Sequence, residues 1–183
     1  MGKIKLQVQI SLDGFIAGPA GEMDWVVSEW DRELKDYVGA LMEGVDHILL
    51  GRKLAEGFIP YWAANASEEG AAFMNETRKT VFSRTLRDSP WKDVVVEQGN
   101  AGAKIRTVKE SSKKDLIVYG GADFASSLVA EGLIDEFFLM VNPTILGRGL
   151  SIFEKNRELY LLEASEAKTF GCGITVLHYG LKN

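Results

Sequence analysis

The sequence predicts a single layered α/β domain on a mostly parallel, mixed central sheet, with helices on both faces and a C-terminal antiparallel hairpin. Three observations predict it. Extended apolar segments alternate along the chain with segments of helical period, and strands separated by helices pair in parallel. The stretch from Asp115 to Tyr119 (DLIVY) runs through Gly120-Gly121 into an apolar helical segment. Gly171 and Gly173 interrupt the last extended stretch, where a chain would fold back on itself.

Lys3 to Ser11 (KIKLQVQIS) alternates apolar and polar residues, the pattern of a strand with one buried face. Leu12 to Ser28, with Gly14, Gly18, Pro19 and Gly21, reads as a long loop, and loops of that length in a compact domain are usually functional. From Glu29 to Glu43, Trp30, Leu34, Tyr37, Val38, Leu41 and Met42 recur at helical spacing. Val45 to Leu50 is a short apolar run closed by Gly51, the signature of a buried strand. A second helix is predicted over Ser67 to Thr77, with Ser67, Glu68 and Glu69 as its N-terminus. Thr80 to Phe82 and Val94 to Glu97 read as short strands, and Ala101, Ile105 and Val108 are spaced for a helix. After the Gly-Gly turn, Ala122 to Glu131 continues as a helix and Ile134 to Val141 as a strand. Asn142 to Gly149 is turn-rich, and the tail is a hairpin. No internal repeat or linker divides residues 1–183, which are expected to form one domain.

Composition narrows the function classes. With 46% hydrophobic and 26% charged residues, the chain has ordinary globular composition and a core that needs no disulfide or metal support. Its 21 basic and 26 acidic residues give a net charge of -5 without a basic cluster, so nucleic acid is not an expected partner. No stretch has membrane-spanning length, and Met1 to Gly18 lacks the apolar run of a signal peptide. The single Cys172 fits a reducing compartment, and the cytoplasm is the expected location. His47 and His178 lack metal-ligand spacing, so no metal is expected, and no G-x-S-x-G supports serine hydrolysis.

The strand–Gly-Gly–helix is the strongest local signal. A helix N-terminus presents free N–H groups and the positive end of its dipole, and glycines let the backbone approach a pyrophosphate. In open α/β sheets such turns lie at the carboxyl ends of strands, where ligands bind. A tight connection with no ligand explains the same residues equally well.

Several segments together resemble the dihydrofolate reductase superfamily, in particular its riboflavin-biosynthesis reductase branch, and they span nearly the whole chain. They are SLDGFIAG (Ser11 to Gly18), MDW (Met23 to Trp25), LLGRKLAEGF (Leu49 to Phe58), VFSRTL (Val81 to Leu86), VYGGADF (Val118 to Phe124) and, most specifically, GLIDEFFLMVNPTILGRG (Gly132 to Gly149). The resemblance implies the three-layer dihydrofolate-reductase-like fold and an NADPH-dependent reductase of a pyrimidine- or pterin-like heterocycle. It is similar in this to 5-amino-6-(5-phosphoribosylamino)uracil reductase. It further implies that Phe15, Ile16, Ala17 and Gly18 lie near the nicotinamide, and Gly51, Arg52, Lys53, Leu54, Ser83 and Arg84 along the cofactor. Tyr119, Gly120, Gly121, Ala122, Asp123 and Phe124 would then meet the pyrophosphate. Arg52, Lys53 and Arg84 have the chemistry to meet a 2′-phosphate and so to prefer NADPH over NADH.

Reduction of a C=N bond needs alignment and a proton source. Asp13 is the first candidate for substrate contact or proton delivery, although Leu-Asp-Gly also suits a local Asx turn. Trp25 suits a pocket wall for a flat ring, Asp24 is a weaker acid candidate, and Arg148 suits a substrate phosphate. Dihydrofolate reductases carry an acid five positions after the tryptophan, where this chain has Trp30 between Glu29 and Asp31. Tyr119 also stands where the riboflavin reductases commonly have Glu. Dihydrofolate reduction is one alternative, and a non-catalytic nucleotide-binding protein is another. A homodimer is expected chiefly from the resemblance. EFFLMV, within the same chain, reads either as a pairing edge or as an internal strand.

Overall fold

The computed structural model describes residues 2–182. Eight strands form one sheet in the order β4-β3-β2-β5-β1-β6-β8-β7. They are β1 (Ile4–Ser11), β2 (Val45–Gly51), β3 (Arg78–Phe82), β4 (Val94–Glu97), β5 (Asp115–Val118), β6 (Glu136–Asn142), β7 (Leu162–Thr169) and β8 (Thr175–Leu181). Every pairing from β4 to β6 is parallel; β8 runs antiparallel to both β6 and β7. The mixed, mostly parallel sheet and the terminal hairpin are thus as the sequence predicts. The EFFLMV strand is internal, paired on both sides.

Five helices connect the strands: α1 (Arg32–Met42), α2 (Arg52–Ala64), α3 (Ala71–Glu76), α4 (Ala101–Ser111) and α5 (Ala122–Ala130). Successive side chains of a strand point to opposite faces, and each face is buried by a different set of helices. On one face, Leu6, Val8, Leu49 and Val118 pack with Ile105 of α4 and Ala125 and Leu128 of α5. On the other, Ile48, Leu50, Val81 and Ile117 pack with Ala55 of α2 and Met74 of α3. Leu34 and Val38 of α1 complete that face against Met140 and Val176. Each of the Leu, Ile, Val and Met side chains among these contributes about 1.5–3 kcal/mol of apolar transfer free energy.

Three expectations need correction. The alternation of β1 predicts one buried face, yet Gln7 is only 6% exposed, because helices cover both sides of this central strand. The first helix starts three residues later than its apolar phase predicts. Asp31 is its N-cap, accepting from the Leu34 N–H at 2.8 Å, and Trp30 stays outside. The predicted Ser67–Thr77 helix shrinks to α3 behind Gly70, whose φ of +87° favours glycine, while the longer α2 precedes it. In α2, Gly57 and Pro60 weaken the local helical signal, and Pro60 lies inside the helix.

His47 is buried in β2, with its Nε2 2.9 Å from the Thr80 hydroxyl and its Nδ1 3.0 Å from Arg78. Burial, followed by the Arg78 charge, pushes its pKa down from 6.5 to about 4. A depressed histidine favours folding in its neutral form. Stability is therefore intact above pH 6.5 and falls on acidification toward pH 4, by an amount on the order of 3 kcal/mol. Denaturant melts of wild type and His47→Gln across pH 4–7 should show this acid-side slope in the wild type and a flatter one in the variant.

Candidate active site

A cleft of about 1720 Å³ opens across the carboxyl ends of the parallel strands. It runs from the gap between α1 and α2 on one face to the start of α4 and α5 on the other. Single-ligand pockets measure roughly 300–1,000 Å³, so this one has room for two ligands side by side.

One half is built from helix N-termini. α1 and α4 are capped by the side chains of Asp31 and Asn100, whereas α2 and α5 start at Gly51 and Gly121 with no side-chain cap. Their first N–H groups are free to meet an anion. Gly120 and Gly121 have φ of +110° and +76°, so a side chain at either would strain the turn. The two turns abut. A Cβ on Gly51 would sit 2.8 Å from Phe124 Cβ of α5, and one on Gly121 would lie 3.6 Å from Leu54 Cβ of α2.

The residues assigned to the cofactor by resemblance largely gather here. Ile16 and Ala17, Gly51 to Leu54, Ser83 and Arg84, Tyr119, and Gly121 to Phe124 all line the cleft. Phe15, Gly18 and Gly120 do not. Gly120 is buried beneath the site, its missing side chain facing Val8 and Ile16. The Phe15 N–H donates to the Ser11 hydroxyl, and the Gly18 N–H closes a turn onto the Glu22 carbonyl.

The three predicted cations differ. Arg52 pairs with Glu56 one turn along α2 at 2.5 Å, whereas Lys53 and Arg84 make no ion pair among the described residues. The Ser83 hydroxyl accepts from the Thr85 and Leu86 N–H groups and so shapes the turn that carries Arg84. Lys155, which sequence reasoning missed, reaches the cleft from the loop after β6. It donates to Ser127 at 2.8 Å and pairs with Asp123 at 2.5 Å. Lys155 above all, with lesser help from Arg84 and Lys53, holds the Asp123 carboxyl below its usual range. Nothing in the sequence spacing ties residue 155 to residue 123.

The other half has a floor of Gln7 and Gln9 of β1 and Tyr119 just past β5. α1 forms one wall with Val38 and Met42, and α2 and α3 form the other with Phe58, Trp62 and Met74. Phe58 stacks on the Tyr119 ring, centroids 5.4 Å apart. Gln9 is satisfied: its Oε1 accepts from Asn142 Nδ2 at 2.8 Å, and Asn142 Oδ1 accepts from the Val27 N–H at 2.9 Å. Gln7 Oε1 and the Tyr119 hydroxyl are buried without a hydrogen-bond partner among the described residues. An unpaired buried polar group costs about 1–3 kcal/mol. Burial also raises the Tyr119 pKa, which keeps the phenol protonated.

The residues first picked for substrate chemistry lie outside the cleft lining. Asp13 accepts from the Leu146 and Gly147 N–H groups at 3.1 and 2.7 Å and from the Ser11 hydroxyl at 2.7 Å. The Ser11 hydroxyl foremost, then these two amides, hold its carboxyl below the usual range. Asp13 thus anchors the loop from Asn142 to Gly149, in keeping with the local turn its sequence also suited. Trp25 donates from its indole to the Glu22 carbonyl, and Asp24 and Arg148 are exposed. None of the four lines the cleft. At the fifth position after Trp25, Trp30 faces the cleft, while the neighbouring Asp31 carboxylate is taken by the Leu34 and Cys172 N–H groups. Glu29 is exposed and does not line the cleft. None of Asp13, Asp24, Glu29 and Asp31 brings its carboxylate into the cleft lining.

Comparison with known proteins bears on fold and family. The chain is 29% identical over 181 residues to the uncharacterized protein YyaP of Bacillus subtilis (strain 168), covering 97% of this chain and 94% of that one. Its structure is similar to that of a Shewanella sp. PV-4 protein assigned to riboflavin biosynthesis, with TM-score 0.77 and 22% identity over the whole of both chains. A Thermotoga maritima deaminase/5-amino-6-(5-phosphoribosylamino)uracil reductase gives TM-score 0.72 at 16% identity, covering 99% of this chain and 57% of that one. The dihydrofolate reductase of Enterococcus faecalis, solved with NADP(H), gives 0.66 at 13% identity, covering 99% and 97%. The dihydrofolate-reductase-like fold is therefore shared. Residues 2–176 match the family described as the RibD C-terminal domain, and the chain belongs to that family.

Proposed function

We propose that this protein is an NADPH-dependent reductase of a small heterocyclic molecule. The observation that carries the reading is the pair of abutting, side-chain-free helix N-termini at the carboxyl edge of the sheet, with Lys53 and Arg84 unpaired beside them. That donor set fits a dinucleotide: backbone N–H groups for the pyrophosphate and two cations for an added phosphate. When bound, NADPH supplies a hydride, which with one proton turns a C=N bond into CH–NH and leaves NADP⁺.

The chain's own residues position and shield. Gly121 and Gly51 let the backbone close on the pyrophosphate, and Lys53 and Arg84 neutralise the added phosphate. Ile16 and Ala17 line the cleft, and Phe58 and Trp62 give its other half an aromatic wall. The proton comes from a water admitted with the substrate, since no carboxylate forms the floor and burial keeps the Tyr119 phenol protonated.

Titration of intrinsic tryptophan fluorescence tests the reading. NADPH should give saturable quenching, and NADH should bind more weakly. The Lys53→Ala/Arg84→Ala double variant should lose about ten- to hundredfold in NADPH affinity with little change for NADH. Absence of quenching by either nucleotide overturns the proposal. Nucleotide binding without oxidation in a heterocycle panel would favour the non-catalytic alternative.

A further inference from the structure

We infer, resting on the reductase reading, that the substrate is an uncharged flat heterocycle carrying a cyclic amide edge and no phosphate, held by Gln7 and Tyr119. The parallel register of β1 and β5 pairs Leu6 with Val118, so the next residues, Gln7 and Tyr119, stand side by side on one face of the sheet. Each ends in a buried oxygen without a partner. Gln7 is 6% exposed, and its amide nitrogen is already turned to the Met140 sulfur at 3.1 Å, which leaves its oxygen as the free acceptor. The Tyr119 hydroxyl is the free donor. An acceptor beside a donor is the complement of an –NH–C(=O)– edge: the ring N–H donates to Gln7 Oε1, and the ring carbonyl accepts from Tyr119 Oη. Gln9 cannot join them, because Asn142 already occupies its oxygen.

The walls set the shape. Phe58, stacked on Tyr119, stands with Trp62 and Met74 opposite Met42 and Val38, leaving an apolar slot that suits a planar ring.

The charges set the rest. The chargeable lining residues contributed to this half by α1 and the segment between α2 and α3 are Lys35, Glu68 and Glu69, all exposed. Lys35 lies 3.7 Å from Glu69, and Glu68 receives the Tyr61 hydroxyl. A cationic ring has no buried carboxylate to meet here, and a substrate phosphate has no unpaired cation. Arg148, the residue sequence analysis offered for such a phosphate, is not in the cleft lining. The unpaired cations Lys53 and Arg84 sit in the other half, where the reductase reading gives them to the cofactor. This chain accordingly departs from phosphoribosyl substrates.

The test uses the whole chain with and without saturating NADPH. Its probes are lumazine, a bicyclic ring with cyclic amide edges, and 2,4-diaminopteridine, which replaces those edges with amino groups. By calorimetry near pH 6.5, lumazine should bind at least tenfold more tightly than the diamine, and 10 mM ribose 5-phosphate should not displace it. Gln7→Leu and the near-isosteric Tyr119→Phe should each weaken lumazine about tenfold. Tighter binding of the diamine, displacement by ribose 5-phosphate, or unchanged lumazine affinity in both variants overturns the assignment. So does NADPH binding without any lumazine binding, which leaves the reductase reading standing. Lumazine binding without NADPH binding does the reverse.

Discussion

Gly121→Val should cost at least a hundredfold in NADPH affinity while leaving the chain folded. Gly121 begins α5 at φ 76° and ψ 103°, a backbone region that a β-branched residue reaches only with strain of about 1–3 kcal/mol. That strain alone leaves a globular domain folded. At the site, however, it either rotates the first N–H groups of α5 off their direction or sets two methyl groups between them and the anion. The remaining space is taken by Leu54, whose Cβ already lies 3.6 Å from the Cβ position. Fluorescence titration, with a thermal melt to verify folding, measures the effect. NADPH binding within threefold of wild type would remove the Gly-Gly turn from the phosphate site.

Asn142→Ala should be the most destabilising single truncation around the cleft. Asn142 is fully buried at the end of β6 and bonds three segments. Its Oδ1 accepts from Val27 in the loop before α1, and its Nδ2 donates to Gln9 of β1 and to the Met140 carbonyl at 3.0 Å. Alanine leaves the Val27 N–H and the Gln9 oxygen unpaired and opens a small void. The summed cost is about 3 kcal/mol, or a fall of roughly 6–12 °C in Tm for a chain of this length. Asn142→Asp separates the roles, because it keeps the acceptor for Val27 and loses the donor to Gln9. A Tm change below 2 °C in Asn142→Ala would show that water replaces the network.

The strands were legible because their signals are local: a continuous apolar run in Val45 to Leu50, period-two alternation in β1, and a Gly turn after Val118. The α2 helix was not legible. Its Gly57 and Pro60 oppose local propensity, and only Ala55 among its residues is fully buried, so it shows no clean apolar stripe. The half of the cleft built from helix N-termini was largely legible, because glycines with positive φ and cations beside them act through the local backbone. The other half was hidden by the same alternation that revealed β1. Gln7 and Gln9 occupy the polar phase of KIKLQVQIS and read as solvent-facing. Only α1, α2 and α3, packed over that face from further along the chain, turn them into a floor. Asp13 misled for the converse reason: a loop carboxylate looks available until the backbone amides of residues 146 and 147, far along the chain, are seen to occupy it.

The contact of Gly51 with Phe124, and of Gly121 with Leu54, makes each turn the mould in which the other is cast. A bulkier residue at position 51 would displace α5 before it touched any ligand, and a tilt of α5 would be felt at the first turn of α2. Divergence at such a place is coupled. Residues on the floor and walls of the cleft can be exchanged one at a time, whereas this pair of turns changes only by paired substitutions or not at all.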